Sequence, residues 1–91
     1  MIRRGTVGTT TVLGFGASNI RTSWVIYNTS AGTIYWNNSR DGASTGAGFP
    51  IPSGGTFAAK IPEDDPTLEV WIVGSGAGLT FAIYEGFGSV K

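Results

Sequence analysis

Glycine residues interrupt this chain at short, even intervals, and this spacing limits the folds that the sequence can adopt. The 91 residues include 15 Gly, and turn-forming residues recur roughly every eight to twelve positions, as they do in all-β proteins. No segment long enough for a helix shows the helical period of apolar side chains. We therefore expect an all-β chain without a helix. It should form a small two-layer antiparallel β-sandwich, jelly-roll-like or immunoglobulin-like, of about six to eight short strands.

The length and the residue types predict a single domain that depends on packing or on association for its stability. A chain of 91 residues buries roughly two thirds of its unfolded surface. It contains no Cys and no His, so we expect no disulfide and none of the usual zinc sites. We expect residues 1–5 to be a flexible N-terminal arm, because chain termini are ordered only when they are tied down. Residues 6–91 should form the sandwich.

The stretch Thr22–Asn38 contains two apolar runs joined by turn-forming residues, a pattern typical of a β-hairpin. Pairing Trp24–Tyr27 with Ile34–Trp36 predicts two apolar faces. One would contain Trp24, Ile26 and Tyr35, and the other Val25, Tyr27, Ile34 and Trp36. A hairpin in a small domain normally exposes one face, so we expect the second face to be covered by another sheet or another chain.

Four further segments complete the predicted strands. Thr6–Phe15 is rich in Thr and Val, Thr56–Ile61 alternates, and Phe49–Pro52 can only be an edge strand because of its prolines. A second hairpin should pair Leu68–Val73 with Leu79–Glu85. Its apolar face is the predicted core: Leu68, Val70, Ile72, Leu79, Phe81 and Ile83. The polar run Asn37–Gly48 should be an exposed loop.

The charge content argues against several classes of partner. Charged residues make up 13% of the chain and the net charge is zero, against about 25% charged residues in typical soluble domains. Such low charge suits a surface that is hidden in an assembly, and it provides no basic footprint for nucleic acid. No apolar run reaches the ~20 residues of a membrane helix, and no signal peptide is visible. We expect no nucleic acid and no membrane as partners, and synthesis in the cytoplasm.

Catalytic patterns are missing, so we expect a protein that is not an enzyme and needs no cofactor. Nucleophilic triads need a base beside the nucleophile, and the chain has neither His nor Cys. The paired carboxylates of a glycosidase would have to be Glu69 and Glu85, which the predicted hairpin places on opposite faces. The acidic run Glu63–Asp65 could contact a calcium ion, but it lacks a full ligand pattern, and we interpret it as a solvated loop.

Aromatic residues are the remaining functional signal. The three Trp and three Tyr are too many for a small core, and exposed aromatic side chains either anchor protein interfaces or stack on sugars. For the face that contains Trp24, Ile26 and Tyr35 we expect a protein interface. Trp71 and Tyr84 are the alternative, as a pair that stacks on a sugar ring.

The order of motifs from Arg21 to Gly86 resembles a class of small virion proteins of tailed phages and related viruses. In that class an arginine precedes an apolar run and the pattern Asn-x-Ser-x-Gly-x-Ile-Tyr, here Arg21–Tyr35. A Gly-rich loop and a Pro-x-Gly-Gly turn follow, here Pro52–Gly55. After an acidic loop comes a Leu-x-Val-x-Ile strand, here Leu68–Ile72, and the last strand ends near Glu85. The three Trp stand where the class has aliphatic or small residues.

The resemblance implies a viral structural protein located in the virion: a capsid decoration, cement or spike-base protein of a bacteriophage or related virus. Its partners would be further copies of itself, in a trimer or pentamer, and the capsid or another virion protein. In such an assembly Arg3 and Arg4 would reach a neighbouring subunit. The alternative is a carbohydrate-binding or receptor-binding β-sandwich module that uses exposed aromatic residues.

Overall fold

The computed structural model of the chain describes residues 2–60 and 65–87, and every regular element in these two ranges is a β-strand. The prediction of an all-β fold is therefore confirmed. No helix in the described part of the chain has the length and hydropathy to cross a membrane. The strands are β1 (Ile2–Val7), β2 (Val12–Phe15), β3 (Ser23–Asn28), β4 (Ile34–Asn37), β5 (Phe49–Ile51), β6 (Thr56–Lys60), β7 (Val70–Gly74) and β8 (Leu79–Gly86).

The eight strands form two antiparallel sheets of four strands each. Sheet A has the order β1-β8-β3-β6, and sheet B has the order β2-β7-β4-β5. The strands pair from the two ends of the chain inward, as β1–β8, β2–β7, β3–β6 and β4–β5. The first half of the chain thus pairs with the second half as one long ribbon, whose four segments lie alternately in the two sheets. This arrangement is the jelly roll, which decides between the two sandwich types that the sequence leaves open.

The hydrophobic core lies between the two sheets and is built from the inward-facing residue of each alternating pair. Strands β3, β7 and β8 each contribute two buried core residues, and the other five strands contribute one each. The buried members of the core are Val7, Phe15, Trp24, Ile26, Ile34, Ile51, Ala59, Val70, Ile72, Phe81 and Ile83.

The predicted hairpin in Thr22–Asn38 is wrong, because β3 and β4 lie in different sheets. The connection between them crosses the sandwich, so inward-facing residues of both strands meet in the core instead of pairing along a ladder. Trp24 and Ile26 therefore face the same interior as Ile34 and Trp36. The opposite sheet covers one face of each strand. The second face of β3, with Val25 and the exposed Tyr27, lies on the outside of sheet A, where no other sheet of the described residues covers it.

The second predicted hairpin is wrong for the same reason, since β7 belongs to sheet B and β8 to sheet A. The predicted core residues of these strands are nevertheless buried, at Val70, Ile72, Phe81 and Ile83. They face each other across the interior. Leu68 precedes β7 and is exposed, which corrects its assignment to the core.

The N-terminal region also differs from the expectation. Residues 2–5, expected in a flexible arm, belong to β1, which pairs with β8 at six successive positions. The single strand predicted for Thr6–Phe15 is divided, because the chain leaves sheet A after Val7 and enters sheet B at Val12. The edge position predicted for the proline-containing strand is confirmed by β5, which pairs only with β4. The strand predicted at Thr56–Ile61 is confirmed by β6 over Thr56–Lys60, and Ile61 lies outside the described residues.

Candidate binding surface

The outer face of sheet A is a flat surface formed by the outward-facing residues of four strands. One row across the sheet consists of Arg4, Ala82, Tyr27 and Thr56, which are partners in successive strand pairs. The next row includes Tyr84, Val25 and Ala58. Arg4 is the one charged side chain in these rows. Since antiparallel partners point to the same side of a sheet, these two rows form one surface with a single charge, and Lys60 stands in the adjoining row as the partner of Ser23.

Two tyrosines give this surface its shape. Tyr27 is 44% exposed and Tyr84 is 47% exposed, and they stand on adjacent strands at diagonal positions. Between them is an open recess of about 190 Å³, whose floor includes Val25 and Ala82. Half-exposed aromatic rings around an apolar floor are typical of contact surfaces, because Tyr contributes a large area with little loss of side-chain entropy.

The outer face of sheet B is different, because the chain covers it with its own loop, residues 38–48. Ala43 in this loop is buried. Its carbonyl oxygen accepts a hydrogen bond of 3.0 Å from Oγ1 of Thr11, which precedes β2 at the opposite edge of sheet B from β5. The Arg40 guanidinium lies 6.0 Å from the centre of the Trp71 ring. Val73, which faces outward from β7, is buried as well. The loop is exposed at residues 39–41 and 45–47, as predicted, and it also covers part of sheet B through Ala43.

The residues predicted as an interface are not brought together. Trp24 and Ile26 are buried in the core, with exposed fractions of 1% and 0%, so no partner chain can reach them. Tyr35 lies on the outer face of sheet B, where its Cβ atom is close to Gly48 of the covering loop. Of the two arginines on β1, Arg4 lies on the outer face of sheet A. Arg3 faces the interior side of the strand.

The predicted sugar-stacking pair is also separated. Tyr84 lies on the outer face of sheet A, whereas Trp71 lies on the outer face of sheet B, opposite Leu13. The Trp71 indole Nε1 donates a hydrogen bond to the carboxylate of Glu69. A single sugar therefore cannot contact both rings. The partner of Tyr84 on its own face is Tyr27, which the sequence analysis did not single out for this role.

No metal site is found in residues 2–60 and 65–87, where no group of three or more His, Cys, Asp or Glu side chains is suitably placed. The acidic loop Glu63–Asp65 is described only at Asp65, and Glu63 and Asp64 lie outside the described residues. Asp65 Oδ1 accepts hydrogen bonds from both the hydroxyl and the backbone N–H of Thr67. Both bonds lower the pKa of Asp65 below its usual value of 3.8, and the bond from the hydroxyl has the larger effect.

A buried ionic cluster at one end of the sandwich is the feature that the sequence analysis missed. The guanidinium of Arg21 donates from Nη1 to Glu85 Oε1 over 2.9 Å, from Nε to the Pro66 carbonyl over 2.6 Å, and from Nη2 to the Leu68 carbonyl over 2.9 Å. Arg3 Nη2 reaches Glu85 Oε2 at 3.3 Å. Because Arg21 uses all three nitrogens on groups of its own chain, we interpret the cluster as a structural clamp.

The aromatic residues of the interior close another side of the sandwich. Trp36 packs against Trp24 and Phe57 with ring centres 4.9 Å apart in each case, and Phe49 and Phe57 are 4.8 Å apart. The indole Nε1 atoms of Trp24 and Trp36 are buried without a hydrogen-bond partner among the described residues. Trp24, Trp36 and Phe57 therefore contribute packing, while Phe49 at the rim is 51% exposed. The outer face of sheet A, with its two exposed tyrosines, is the candidate for binding.

Comparison with known proteins adds no family to this picture. No protein-family model matches the chain, no curated protein matches it, and no solved structure matches it. The class of molecule is therefore defined by the fold and the surface alone: a small jelly-roll domain with one sheet face partly covered by a loop and one open sheet face.

Proposed function

We propose that this chain is a non-enzymatic viral structural protein that self-associates and binds a capsid surface as a decoration, cement or spike-base protein. The observation that supports the proposal is the difference between the two outer faces. The chain covers part of sheet B with its own loop, with Leu13 of that sheet left exposed, but leaves sheet A open, although two outward rows of sheet A contain Tyr27, Tyr84, Val25 and Ala82 and a single arginine.

The energetics of this face favour association over exposure to water. Burying apolar surface stabilises a complex by roughly 25 cal/mol per Å², and a surface with few charges has a small desolvation cost. Tyrosines near the centre of an interface often dominate its binding energy. Closed symmetric oligomers are the usual product of such self-association, in agreement with the trimer or pentamer implied by the resemblance.

The fold supports the same proposal at a more general level. Jelly rolls occur in viral capsid proteins and in lectins, and a fold by itself does not define a function. The motif order from Arg21 to Gly86 favours the first of these classes. In this proposal the outer face of sheet A joins the copies, and the assembled ring presents its remaining surface to the capsid.

The first experiment is the molar mass of the full chain, measured by multi-angle light scattering at several concentrations. We expect a trimer, a pentamer or a larger closed ring. Tyr84→Arg should shift the mass to that of a monomer, because it places a cation in the centre of the joined faces. Leu13→Arg is the matched control, since Leu13 is similarly exposed but lies on sheet B, and it should leave the mass unchanged.

A monomer at every concentration would overturn self-association, and an oligomer that resists Tyr84→Arg would overturn the choice of face. The capsid step is tested separately, by co-sedimentation of the purified oligomer with purified capsids of tailed phages. We expect saturable binding at a fixed ratio to the capsid subunit. Binding by the Tyr84→Arg variant equal to that of the unaltered chain would contradict a role for the oligomer.

A carbohydrate-binding module is the second candidate, favoured by the recess between Tyr27 and Tyr84. Its ring pair differs from the one predicted from the sequence, because Trp71 lies on the other sheet. Titration with a panel of neutral oligosaccharides, followed by NMR, distinguishes the two candidates. Shifts confined to Val25, Tyr27, Ala82 and Tyr84 in a monomeric chain would replace assembly with glycan binding on this face.

A further inference from the structure

Strand β1 is an open edge of sheet A. It pairs with β8 on one side, in an unbroken register of six residues, and no strand in residues 2–60 and 65–87 lies on its other side. No described residue hydrogen-bonds to the backbone on that free side. Such an edge presents a row of free N–H and C=O groups, which is a template for adding another strand.

The other edges of the sandwich are less suited to strand addition. Strand β5 contains Pro50, which has no N–H to donate, and β2 is four residues long with a shift of register before Phe15. On the side where β5 and β6 lie, the rings of Trp36 and Phe57 pack between the sheets, with the half-exposed ring of Phe49 at the rim. The β1 edge has the longest free strand and no such filling.

A groove runs beside β1, in the gap between it and β2. Its volume is about 310 Å³, and its apolar lining includes Val12, Phe81 and Ile83. Gly5 lies at its centre opposite Phe81, and a Cβ atom at Gly5 would be 2.6 Å from the Phe81 ring. The Phe81 ring therefore covers Gly5 and forms part of the apolar lining of the groove, against which a side chain from a partner can pack.

The charges beside the groove define what that partner must carry. Arg3 and Arg4 occupy adjacent positions of β1 and both line the groove. Arg3 shares Glu85 with the buried Arg21, at the longer distance of 3.3 Å against 2.9 Å, and its side chain remains 46% exposed. Arg4 is exposed and has no ion pair within residues 2–60 and 65–87. The edge is therefore positive, and it complements carboxylates.

We infer that the β1 edge binds an extended acidic segment of a partner protein by antiparallel strand addition. An apolar side chain of that segment enters the groove opposite Gly5, and the two residues that follow it are acidic and lie opposite Arg4 and Arg3. Cross-strand partners are about 5 Å apart, which places each carboxylate within reach of a guanidinium. A second β1 would add two more arginines to the same edge, so the acidic segment is the better partner.

This inference does not rest on the proposed self-association, because it uses the edge of sheet A and not its outer face. The two proposals also fail separately. Molar mass and the Tyr84→Arg variant test the face, whereas peptide affinity tests the edge. A chain that stays monomeric is still expected to bind the peptide.

The test uses the full chain and a fluorescently labelled peptide with the sequence Thr-Thr-Val-Thr-Val-Asp-Asp-Thr, followed by fluorescence anisotropy. A matched peptide with Asn in place of both Asp should bind about tenfold more weakly. Two further peptides are N-methylated on alternate residues. In one peptide the methyl groups lie on one hydrogen-bonding edge of the extended strand, and in the other peptide they lie on the opposite edge. In strand addition one of these peptides loses binding and the other keeps it, because only one edge of the peptide pairs with β1.

Variants locate the site. Arg4→Glu should weaken binding of the Asp peptide by about tenfold or more and reverse the preference toward the Asn peptide. Arg40→Glu is the control, since Arg40 is exposed on the loop over sheet B, and it should leave the affinity unchanged. Circular dichroism of each variant confirms that it is folded.

Several outcomes would overturn the inference. Equal affinity for the Asp and Asn peptides would remove the role of Arg3 and Arg4, and equal effects of the two N-methylated peptides would exclude strand addition. Absence of binding at millimolar peptide would exclude the site. A dimer that dissociates when β1 is blocked by Gly5→Pro, with no peptide binding, would identify a second copy as the partner.

Discussion

The guanidinium of Arg21 is joined to the carboxylate of Glu85 by a hydrogen bond of 2.9 Å from Nη1 to Oε1, with both residues buried, at 2% and 6% exposed. Arg21 precedes β3, and Glu85 lies near the end of β8, 64 positions later in the chain. The same guanidinium binds the carbonyls of Pro66 and Leu68 and packs 4.6 Å from the Phe15 ring. One side chain therefore connects both sheets to the segment that enters β7.

Loss of this arginine should be strongly destabilising. In Arg21→Met the Glu85 carboxylate and two carbonyl oxygens lose their donor, and an uncompensated buried charge typically costs about 3–5 kcal/mol. Arg3 remains beside Glu85, so we expect a loss near the lower end of that range. Urea denaturation followed by circular dichroism gives the free energy of unfolding. Arg40→Met, on the exposed loop, should change it by less than about 0.5 kcal/mol.

The reciprocal substitution separates charge from hydrogen bonding. Glu85→Gln keeps an oxygen that accepts from Arg21 but removes the negative charge, and it should cost less than Arg21→Met. If Arg21→Met loses under about 1 kcal/mol, the clamp is not a main source of stability.

Asn28 should be a second position where a small chemical change has a large effect. Its side chain is fully buried, and Nδ2 donates to the carbonyls of Gly32 and Ile51 over 2.9 and 2.8 Å. Asn28→Asp leaves both carbonyls without a donor and buries a charge, so the free energy of unfolding should fall by about 2–4 kcal/mol. The measurement is urea denaturation at neutral pH. Asn19→Asp, on an exposed loop, is the isosteric control and should be nearly neutral.

The positions of most strands could be predicted from the sequence, because alternation and turn residues are local properties. The sheet to which each strand belongs could not. A short turn such as residues 75–78 suits a hairpin within one sheet or a crossing between two sheets, and the same glycines serve both. The inward residues of β7 and β8 were correct because alternation is the same in either case. The relative faces of β3 and β4 were wrong because they depend on the crossing.

That some aromatic side chains are exposed could be predicted from the sequence, but which ones are exposed could not. An excess of aromatic residues indicates that some of them are exposed, and Tyr84 is one that the structure exposes. Trp24 was placed at the interface because the hairpin model turned it outward, whereas the jelly roll turns it into the core. The Arg21–Glu85 clamp joins residues too distant in sequence for any local pattern, although both residues belong to the motifs that carry the viral resemblance.

The pH behaviour of Asp65 gives a prediction for the segment before β7. The folded pKa of this carboxyl is lowered by the hydroxyl and backbone N–H of Thr67. A lowered folded pKa stabilises the fold above the unfolded value of about 3.9, and this contribution is lost as the pH falls through the folded pKa. Thr67→Val removes the hydroxyl bond and keeps the backbone one.

We therefore expect Thr67→Val to raise the pKa of Asp65 toward 3.8 without abolishing the whole shift. The carboxyl ¹³C chemical shift, followed by NMR between about pH 2 and 7, measures it directly. Thr45→Val, in the loop over sheet B, should leave the Asp65 titration unchanged. An unchanged pKa in Thr67→Val would assign the shift to the backbone bond alone.

The close contact between Gly5 and Phe81 should make position 5 intolerant of even one methyl group. These residues are direct partners in β1 and β8, and a Cβ at Gly5 would lie 2.6 Å from the Phe81 ring. Gly5→Ala forces the ring or the edge strand to move, which typically costs about 1–3 kcal/mol. Gly16→Ala is the control, because no heavy atom lies within 4 Å of its Cβ position, and it should be nearly neutral.

A double-mutant cycle shows whether the ring is the cause of that cost. Phe81→Leu shortens the side chain opposite Gly5, so Gly5→Ala should cost less in its presence. We expect the loss in free energy of unfolding of the double variant to be smaller than the sum of the two single losses by at least about 0.5 kcal/mol. Urea denaturation measures all three losses. Strict additivity would show that the alanine acts through the backbone of β1 instead. In that case the substitution alters the edge strand itself, and the affinity of the acidic peptide should fall with it.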